Sequence, residues 1–413
     1  MLILIVLLMS VFLFEGTLTA QISNVPIKFN GQIRMRSEAD GRDFNNDSDI
    51  NSYTLLRTRF GAAMQPADDV NVYIQIQDSR AFGLEPNTLA NTSNLDIHQA
   101  FFQVNRLWNK NISIKVGRQE MIYGSERILG AVGWSNVGRS FDGVKLTVGK
   151  TNTFDLFSMI INESSQPVLG PATPTTTAGR DNADYNLFGV YYKHRKKSQY
   201  MLDVYGLFES NLNETVPGED DLNRLTIGSY SKGRFSDNVD FETELALQLG
   251  KRRGQDVTAF MLTGSVGYTF QSARRPSVRA GIDYLSGMDA GDSDYKAFDT
   301  LFATNHKFYG FMDYFVNVPV NTNGQGLVDL MIKAKIPFAN KFNFNAHFHN
   351  FQAAKGDEKN LGNELDLILN YKYNAVASFV LGLAFFIPGD LLEQSFANND
   401  IGIWSYSTFL VNF

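Results

Sequence analysis

Apolar and polar residues alternate along most of the chain. The even positions of 70–76 are Val or Ile, and Asn, Tyr and Gln stand between them. The same alternation covers 239–250 and 326–338. A period of two gives a β-strand one apolar and one polar face, whereas a helix repeats every 3.6 residues. No long stretch follows the helical period, so the pattern predicts an all-β protein.

These alternating runs are unusually long. About 18 runs of roughly 10–13 residues are present, about twice the mean length of soluble strands. This length is typical of tilted strands that cross a bilayer. The predicted strands are 28–38, 53–64, 70–80, 95–106, 111–121, 141–149, 153–162, 184–194, 199–209, 222–233, 239–250, 258–270, 277–287, 326–338, 342–352, 362–373, 376–387 and 403–413.

The connections between the runs alternate between short and long. The predicted long ones are 39–52, 81–94, 122–140, 163–183, 210–221, 251–257, 288–325, 353–361 and 388–402. Short periplasmic turns and longer extracellular loops are typical of outer-membrane barrels. Because no backbone group can remain unpaired in hydrocarbon, the sheet must close. The pattern predicts a single closed antiparallel transmembrane β-barrel of about 18 strands around a water-filled lumen.

Composition narrows the choice of function. The 413 residues contain no cysteine, which excludes disulfides, cysteine-ligated metals and thiol nucleophiles. The formal net charge of −6 argues against nucleic acid as a partner. No spacing of Ser, His and acidic residues indicates a catalytic triad, so no enzyme is predicted.

The N-terminus indicates export. Residues 1–14 are almost entirely apolar but are too short for the ~20 residues of a spanning helix. The small residues of Thr17 to Ala20 then resemble a signal-peptidase site. We expect a secretory signal peptide at 1–20 and a barrel at 21–413, surrounded by the lipid of a bacterial outer membrane.

Positive charge is concentrated on the polar face of the early strands. Arg34 and Arg36 lie on the first strand, and Arg57 and Arg59 lie on the second. Further lumen cations follow, and the substrate path is predicted to include Lys145, Arg224 and Arg279. The planar guanidinium group matches carboxylates, so four neighbouring arginines favour a path for anions. For any one arginine, a solvated wall or a cross-strand ion pair is an equally good interpretation.

Four segments resemble the alginate export family of bacterial outer-membrane porins. They are GRQE with YGSER in 117–127, WSNVGRSFDG in 134–143, FDTLF with TNHKFYG in 298–310, and LGNELD with YKY and FIPGD in 361–390. The resemblance implies an 18-strand barrel that passes an anionic uronate polysaccharide through an arginine-lined constriction. By matching position, it implies constriction roles for Arg118, Glu120, Arg139 and Asp142. Family members plug the pore with a long periplasmic loop before the penultimate strand. Here that connection is only about 374–375, so any plug must come from another segment.

The sequence does not decide whether the Arg118 side chain points into the lumen or outward. Arg118 and Glu120 share parity with Ile112, Ile114 and Val116, which should face lipid. Either a bulge at Gly117 turns Arg118 inward, or the strand has already left the membrane at this point.

Two further features of the sequence bear on the lumen: an aromatic-rich connection and a pair of histidines. The connection 288–325 is rich in Phe and Tyr, and this aromatic area predicts that part of it folds against the wall or into the lumen. His347 and His349 share one strand face, a geometry that suits a metal. No third ligand is identifiable from the sequence, so neither a metal nor another cofactor is predicted.

The predicted function is export or passage of an anionic, alginate-like polysaccharide or oligosaccharide. The alternatives are a general or small-anion porin on the same barrel, and a non-transporting barrel such as an adhesin or receptor. Periplasmic export components are left open as partners.

Overall fold

The computed structural model describes residues 25–90, 94–163, 184–196, 200–215 and 218–413. The signal peptide expected at 1–20 lies outside the described residues and stays a prediction. Within these ranges, no helix is both long enough and apolar enough to cross a membrane.

In the described residues, eighteen strands form one antiparallel sheet in which each strand pairs with its neighbours in the chain. The number of strands predicted from the sequence is confirmed. The strands are β1 (Ile27–Gly41), β2 (Asn51–Ala67), β3 (Val70–Ala81), β4 (Leu95–Val104), β5 (Ile112–Gln119), β6 (Phe141–Gly149), β7 (Thr153–Asn162), β8 (Tyr185–Lys196), β9 (Tyr200–Asn211), β10 (Leu222–Arg234), β11 (Val239–Arg252), β12 (Gln255–Thr269), β13 (Ser277–Leu285), β14 (Leu327–Ala339), β15 (Phe342–Gln352), β16 (Asn360–Lys372), β17 (Ala377–Pro388) and β18 (Gly402–Asn412).

The sheet closes where the first strand meets the last. β1 pairs with β18 in antiparallel register, with Ile33 opposite Val411. At the end of this seam the Gly31 N–H donates to the Phe413 carbonyl at 2.7 Å, and the Phe413 N–H donates back at 3.0 Å. A Cβ atom at position 31 would lie 2.3 Å from the Phe413 ring, so a larger residue there would displace this exposed ring.

Alternation along each strand separates an outer apolar face from an inner polar face, as predicted. Ile74 and Leu247 are each 41% exposed on the outer face. Glu244 and Asp329 point inward and are buried. The apolar band therefore faces lipid, and the polar band forms the wall of the lumen.

The prediction of a long connection at 251–257 is wrong. β11 ends at Arg252 and β12 begins at Gln255, so only two residues connect them. Lys251 pairs with Asp256 and Arg252 with Gln255, so the ladder continues after the apolar alternation has stopped. Apolar periodicity marks where a strand meets lipid, whereas backbone pairing extends into water with polar residues.

Two long connections fold into the lumen and pack against each other. We name 120–140 the first inserted segment and 286–326 the second inserted segment. The Gly130 N–H donates to the Phe302 carbonyl at 2.9 Å, and the Phe302 N–H donates to the Ile128 carbonyl at 3.0 Å. Phe298 and Phe315 of the second segment are fully buried. The inward folding predicted for the aromatic-rich stretch 288–325 is confirmed.

A short helix closes over the second inserted segment. Helix α1 (Asp390–Phe396) lies in the connection between β17 and β18. The Phe396 ring contacts Phe44 at 4.9 Å and Tyr314 at 6.0 Å between ring centroids. Seven residues are too few for a recognisable helical period, so the alternation pattern could not indicate this helix.

The assignment of faces can be tested by spin labelling, since the chain has no native cysteine. Adjacent residues form matched pairs: Ile74 with Gln75, and Ile332 with Lys333. Labels on the two isoleucines should collide mainly with oxygen, which partitions into lipid. Labels on Gln75 and Lys333 should collide mainly with a water-soluble nickel chelate. An inverted pattern in either pair would contradict the register.

Candidate functional site

The four early arginines do form one cluster on the lumen wall. We name Arg34, Arg36, Arg57 and Arg59 the arginine cluster. Arg34 stands directly opposite Arg57 in the β1–β2 register. Directly paired residues of an antiparallel sheet have Cβ atoms about 4.5–5.5 Å apart. Because a closed sheet fixes the inward face, the cluster projects into the lumen as predicted from parity.

The centre of the cluster binds the first inserted segment through its backbone. Arg34 donates to the carbonyl oxygens of Gly133 and Ser135 at 2.8 and 2.9 Å. Arg57 donates to the same two oxygens at 3.0 and 2.9 Å. Two guanidinium groups thus share two neutral acceptors, and this pairing holds the segment against the wall.

The outer members of the cluster extend this contact. Arg36 donates to the Trp134 carbonyl at 2.6 Å, and its guanidinium group lies 3.9 Å from the centre of the Trp134 ring. The other face of that ring stacks on His306 at 4.1 Å. Arg59 donates to the Val137 carbonyl at 3.1 Å. The arginine cluster therefore binds every carbonyl of 133–137 except that of Asn136, which accepts from the Ser79 hydroxyl.

The charges within the cluster are unequally compensated. Arg36 has an ion pair with Glu38 at 2.6 Å, and Arg59 has one with Glu120 at 3.3 Å. Within the described parts of the chain, no carboxylate pairs with Arg34 or Arg57, which are only 6% and 4% exposed. A buried charge that meets only neutral dipoles is costly. An anion at this position would lower that cost.

Glu120 faces the lumen, as its predicted role requires. It directly follows β5, and its carboxylate lies 2.8 Å from His98 Nε2. Burial alone would raise the Glu120 pKa, but the hydrogen bond to His98 and the charge of Arg59 outweigh burial and lower it. Glu120 therefore stays ionised and offsets the charge of Arg59. The sequence did not indicate His98, because nothing in the spacing connects it to Glu120.

Arg139 holds the two inserted segments together. Its guanidinium group donates to the Phe302 carbonyl and, at 3.2 Å each, to the carbonyls of Gly130 and Ala303. Burial lowers the Arg139 pKa to about 10, which still leaves it charged at neutral pH. It lies inside the barrel, but its donors are engaged by the segments.

Arg118 and Asp142 do not face the lumen, and this part of the prediction is wrong. Gly117 has a φ of +120°, yet the pairing of β5 continues without a register shift. Arg118 therefore stays on the outer face with Val116, where it forms an ion pair with Asp142 at 2.7 Å. Both lie at strand ends, on the side of the long connections. A charge on the outer face costs only about 0–1 kcal/mol near a membrane interface.

The remaining predicted cations lie on the inner face, but only some of them have a carboxylate partner that neutralises their charge. Lys145 pairs with Lys115 in register, and the Lys115 ammonium lies 3.8 Å from the centre of the Phe101 ring. These two lysines extend the cationic wall.

Arg224 and Arg279 are instead neutralised by partners. Arg224 is 2% exposed and has ion pairs with Glu209 at 2.8 Å and Asp299 at 3.0 Å. Arg279 has an ion pair with Asp240. These arginines brace the wall, so their charge is not free for a passing solute.

The wall from β9 to β16 is acidic. Buried carboxylates project inward from five strands, β9, β11, β13, β14 and β16. They are Asp203, Glu209, Glu244, Asp283, Asp329, Glu364 and Asp366. The inserted segments dock here through donors. Arg127 of the first segment binds Asp283 at 2.5 Å, and the Met312 N–H of the second binds Glu364 at 2.8 Å. The lumen therefore has a cationic side and an acidic side.

A protein-family model described as Alginate export matches residues 25–352. The fold resembles solved outer-membrane proteins of other bacteria at low identity. OccK11 (OpdR) from Pseudomonas aeruginosa has 13% identity and a TM-score of 0.60, with 94% of this chain and 96% of that chain covered. A BenF-like porin from Pseudomonas fluorescens Pf-5 has 11% identity and a TM-score of 0.60, with 94% and 98% covered. OpdK from Pseudomonas aeruginosa, solved with vanillate, has 11% identity and a TM-score of 0.57, with 94% and 98% covered. No curated protein sequence matches the chain.

Removing the second inserted segment should widen the channel. Leu285 and Leu327 pair directly across β13 and β14, so a short Gly-Ser turn can replace 288–325 without moving either strand. We expect a higher single-channel conductance in planar bilayers, since conductance rises with the water-filled cross-section.

The matched control for this deletion shortens the exposed connection at 84–90, where Leu89 is 95% exposed. That variant should conduct like the parent. Heat-modifiable migration on gels would verify that both barrels are folded. Unchanged conductance in a folded 288–325 deletion would mean that the segment does not narrow the pore.

Proposed function

We propose, for a chain that belongs to the alginate export family, that the solute of this bacterial outer-membrane channel is an anionic, uronate-type oligosaccharide or polysaccharide. The observation that carries the proposal is the pair Arg34 and Arg57. Both guanidinium groups are buried on the lumen wall, lack a carboxylate partner among the described residues, and are held by neutral carbonyls. The family match supports the same class of solute.

Acceptor exchange explains how such a wall would serve a polyanion. The planar fork of arginine prefers a carboxylate to a single carbonyl, and charge-assisted hydrogen bonds are about twice as strong as neutral ones. A uronate carboxylate at the cluster would replace the carbonyls of Gly133 and Ser135 as acceptors. In a wet pore each contact contributes only about 0.2–1 kcal/mol, so the solute is not trapped.

The acidic wall would assist by repulsion. Carboxylates such as Asp203 and Glu244, on β9 and β11, line the side of the lumen across from the cluster. They would disfavour a polyanion near β9–β16 and direct it toward β1 and β2. Neighbouring uronate units could then bind Arg34, Arg57 and the lysines on β5 and β6 in turn. If the solute leaves the cell as a polymer, periplasmic export components become its expected partners.

A second candidate is a channel for small carboxylates. The two inserted segments occupy the lumen beside the cluster, which favours a small solute over a polymer. OpdK, one of the structural neighbours, was solved with the small aromatic carboxylate vanillate. This candidate uses the same arginines. A small carboxylate would need only the carbonyls of Gly133 and Ser135 to move away from these arginines, whereas a polymer would also need the inserted segments to clear its path.

Neutralising the centre of the cluster should weaken anion preference. In Arg34→Gln/Arg57→Gln, the reversal potential in a KCl gradient should shift toward cations. The shift should be largest at low salt, because screening acts over about 10 Å at 0.1 M. Loss of two contacts should weaken oligouronate block about 2- to 30-fold.

Arg118→Gln is the matched control for this double variant. It removes an arginine from the neighbouring outer face and should change neither selectivity nor block. A folded double variant that keeps the parent's selectivity and block would contradict the cationic path.

Solute competition separates the two candidates. We expect an oligouronate to reduce the ion current through the unmodified channel, because several carboxylates bind successive cations. A neutral oligosaccharide of the same length should leave the current unchanged. Block by vanillate with no block by oligouronate would favour the small-carboxylate channel. Equal block by neutral and charged sugars would contradict both.

A further inference from the structure

Two strands of the acidic wall bring together a set of residues that the solute path does not use. His347 and His349 lie on the inner face of β15, and β16 places Asp366 opposite His347 and Glu364 opposite His349. One ligand atom from each of His347, His349 and Asp366 lies within 4.8 Å of the others. The sequence showed the two histidines but not the carboxylate, because only the β15–β16 register brings Asp366 to them.

The ligand atoms are available. Asp366 is 1% exposed, and its carboxylate oxygens have no hydrogen bond of normal geometry among the described residues, although the Glu364 carboxyl and the Phe311 backbone lie close to it. His347 Nδ1 likewise has no partner in the part of the chain that the structure describes. A buried carboxylate whose hydrogen bonds are this poor is strongly unfavourable unless a cation accompanies it.

His349 is oriented for coordination. Its Nδ1 lies 2.9 and 2.8 Å from the two oxygens of the Asp329 carboxylate. An acceptor at Nδ1 places the ring proton there and leaves the Nε2 lone pair for a ligand bond. Histidines that bind metals are commonly held in this way by a carboxylate, which sets the tautomer and the ring direction.

The surrounding charge favours a cation. Asp283, Asp329, Glu364 and Asp366 are all buried in this part of the wall. Arg127 compensates Asp283 through its ion pair. Lys333, which stands opposite His347 in the β14–β15 register, is the other cation nearby. The carboxylates therefore outnumber the cations by two when all are ionised.

We propose that His347, His349 and Asp366 bind a divalent first-row transition cation of the Zn²⁺ type. Two imidazoles and one carboxylate suit zinc and its neighbours, whereas Ca²⁺ and Mg²⁺ prefer all-oxygen sites. His347 is only partly buried, so the cation can enter from the lumen. Glu364, which stands beside Asp366 on β16, or water completes the coordination.

The site lies under the second inserted segment, which gives the cation a structural consequence. The Phe311 ring contacts His347 at 5.4 Å between centroids. A Cβ atom at Gly310, where φ is +79°, would lie 2.3 Å from a Glu364 oxygen, so the segment sits tightly on this wall. A bound cation would neutralise the carboxylates beneath the segment and stabilise the barrel to heating. Binding of the cation would be independent of the solute that the channel passes.

Zinc stoichiometry tests the site. The full-length barrel would be stripped with a chelator, dialysed against micromolar Zn²⁺ and analysed for zinc by mass spectrometry. We expect one zinc per chain, and a higher Tm in the presence of Zn²⁺. His349→Gln and Asp366→Asn should each lose the zinc and the shift in Tm. Co²⁺ bound to the unmodified barrel should show visible d–d bands that these variants lack.

Three further variants complete the test. His194→Gln removes a histidine from β8, away from the site, and should retain full zinc. Asp329→Asn keeps all three ligands but weakens the support of His349, so zinc affinity should fall about 10- to 100-fold. His347→Gln replaces Asp366→Asn if the latter does not fold.

Three outcomes would overturn the proposal. An unmodified barrel that binds no zinc would mean that Lys333 is the sufficient counter-charge. Full zinc in folded His349→Gln would mean that the metal binds elsewhere. Loss of zinc in His194→Gln would identify adventitious binding at the barrel surface.

Discussion

The backbone of a membrane-spanning sheet must satisfy every hydrogen bond within itself, and the rest of this structure depends on that constraint. It is met by the pairing of β1 with β18, which leaves no free edge in the barrel. Closure also fixes which side of each strand is inside. Since the side-chain period is two, a shift of one residue would exchange the two faces of a strand. The position of Arg34 and Arg57 in the lumen is thus a consequence of the seam.

Closure with eighteen strands creates a second requirement. The interior is too wide for wall side chains to fill, and the inserted segments that enter it carry backbone groups needing partners. One wall supplies hydrogen-bond donors, and the other supplies acceptors. Arginines on β1 and β2 donate to carbonyls of the first inserted segment, as Arg34 does to Gly133. Carboxylates on the acidic wall accept from the second, as Glu364 does from the Met312 N–H. The division of charge across the lumen therefore also positions the segments.

Sequence periodicity predicted the features that barrel closure controls. It predicted few of the contacts that the inserted segments make. The strands, their faces and the inward direction of Arg57 follow from local alternation. Parity also indicated the outward direction of Arg118, and the family resemblance was the weaker guide at that residue. By contrast, the contact between Arg34 and Gly133 joins residues 99 positions apart, and Asp366 reaches His347 only through strand register. Such contacts leave no periodic signal, because they depend on how a loop returns into the lumen.

The same guanidinium groups serve the segment and, on the proposed function, the solute. An anion can bind Arg34 and Arg57 fully only where the carbonyls of Gly133 and Ser135 have given way. Binding of the anion and docking of the first inserted segment then compete for one set of donors. A ligand shifts such an equilibrium only by its difference in affinity for the two states. A carboxylate exceeds a carbonyl as a partner for arginine, whereas a neutral sugar does not. Selectivity and opening of the channel would therefore arise from one interaction, and a neutral solute would find the segment in place.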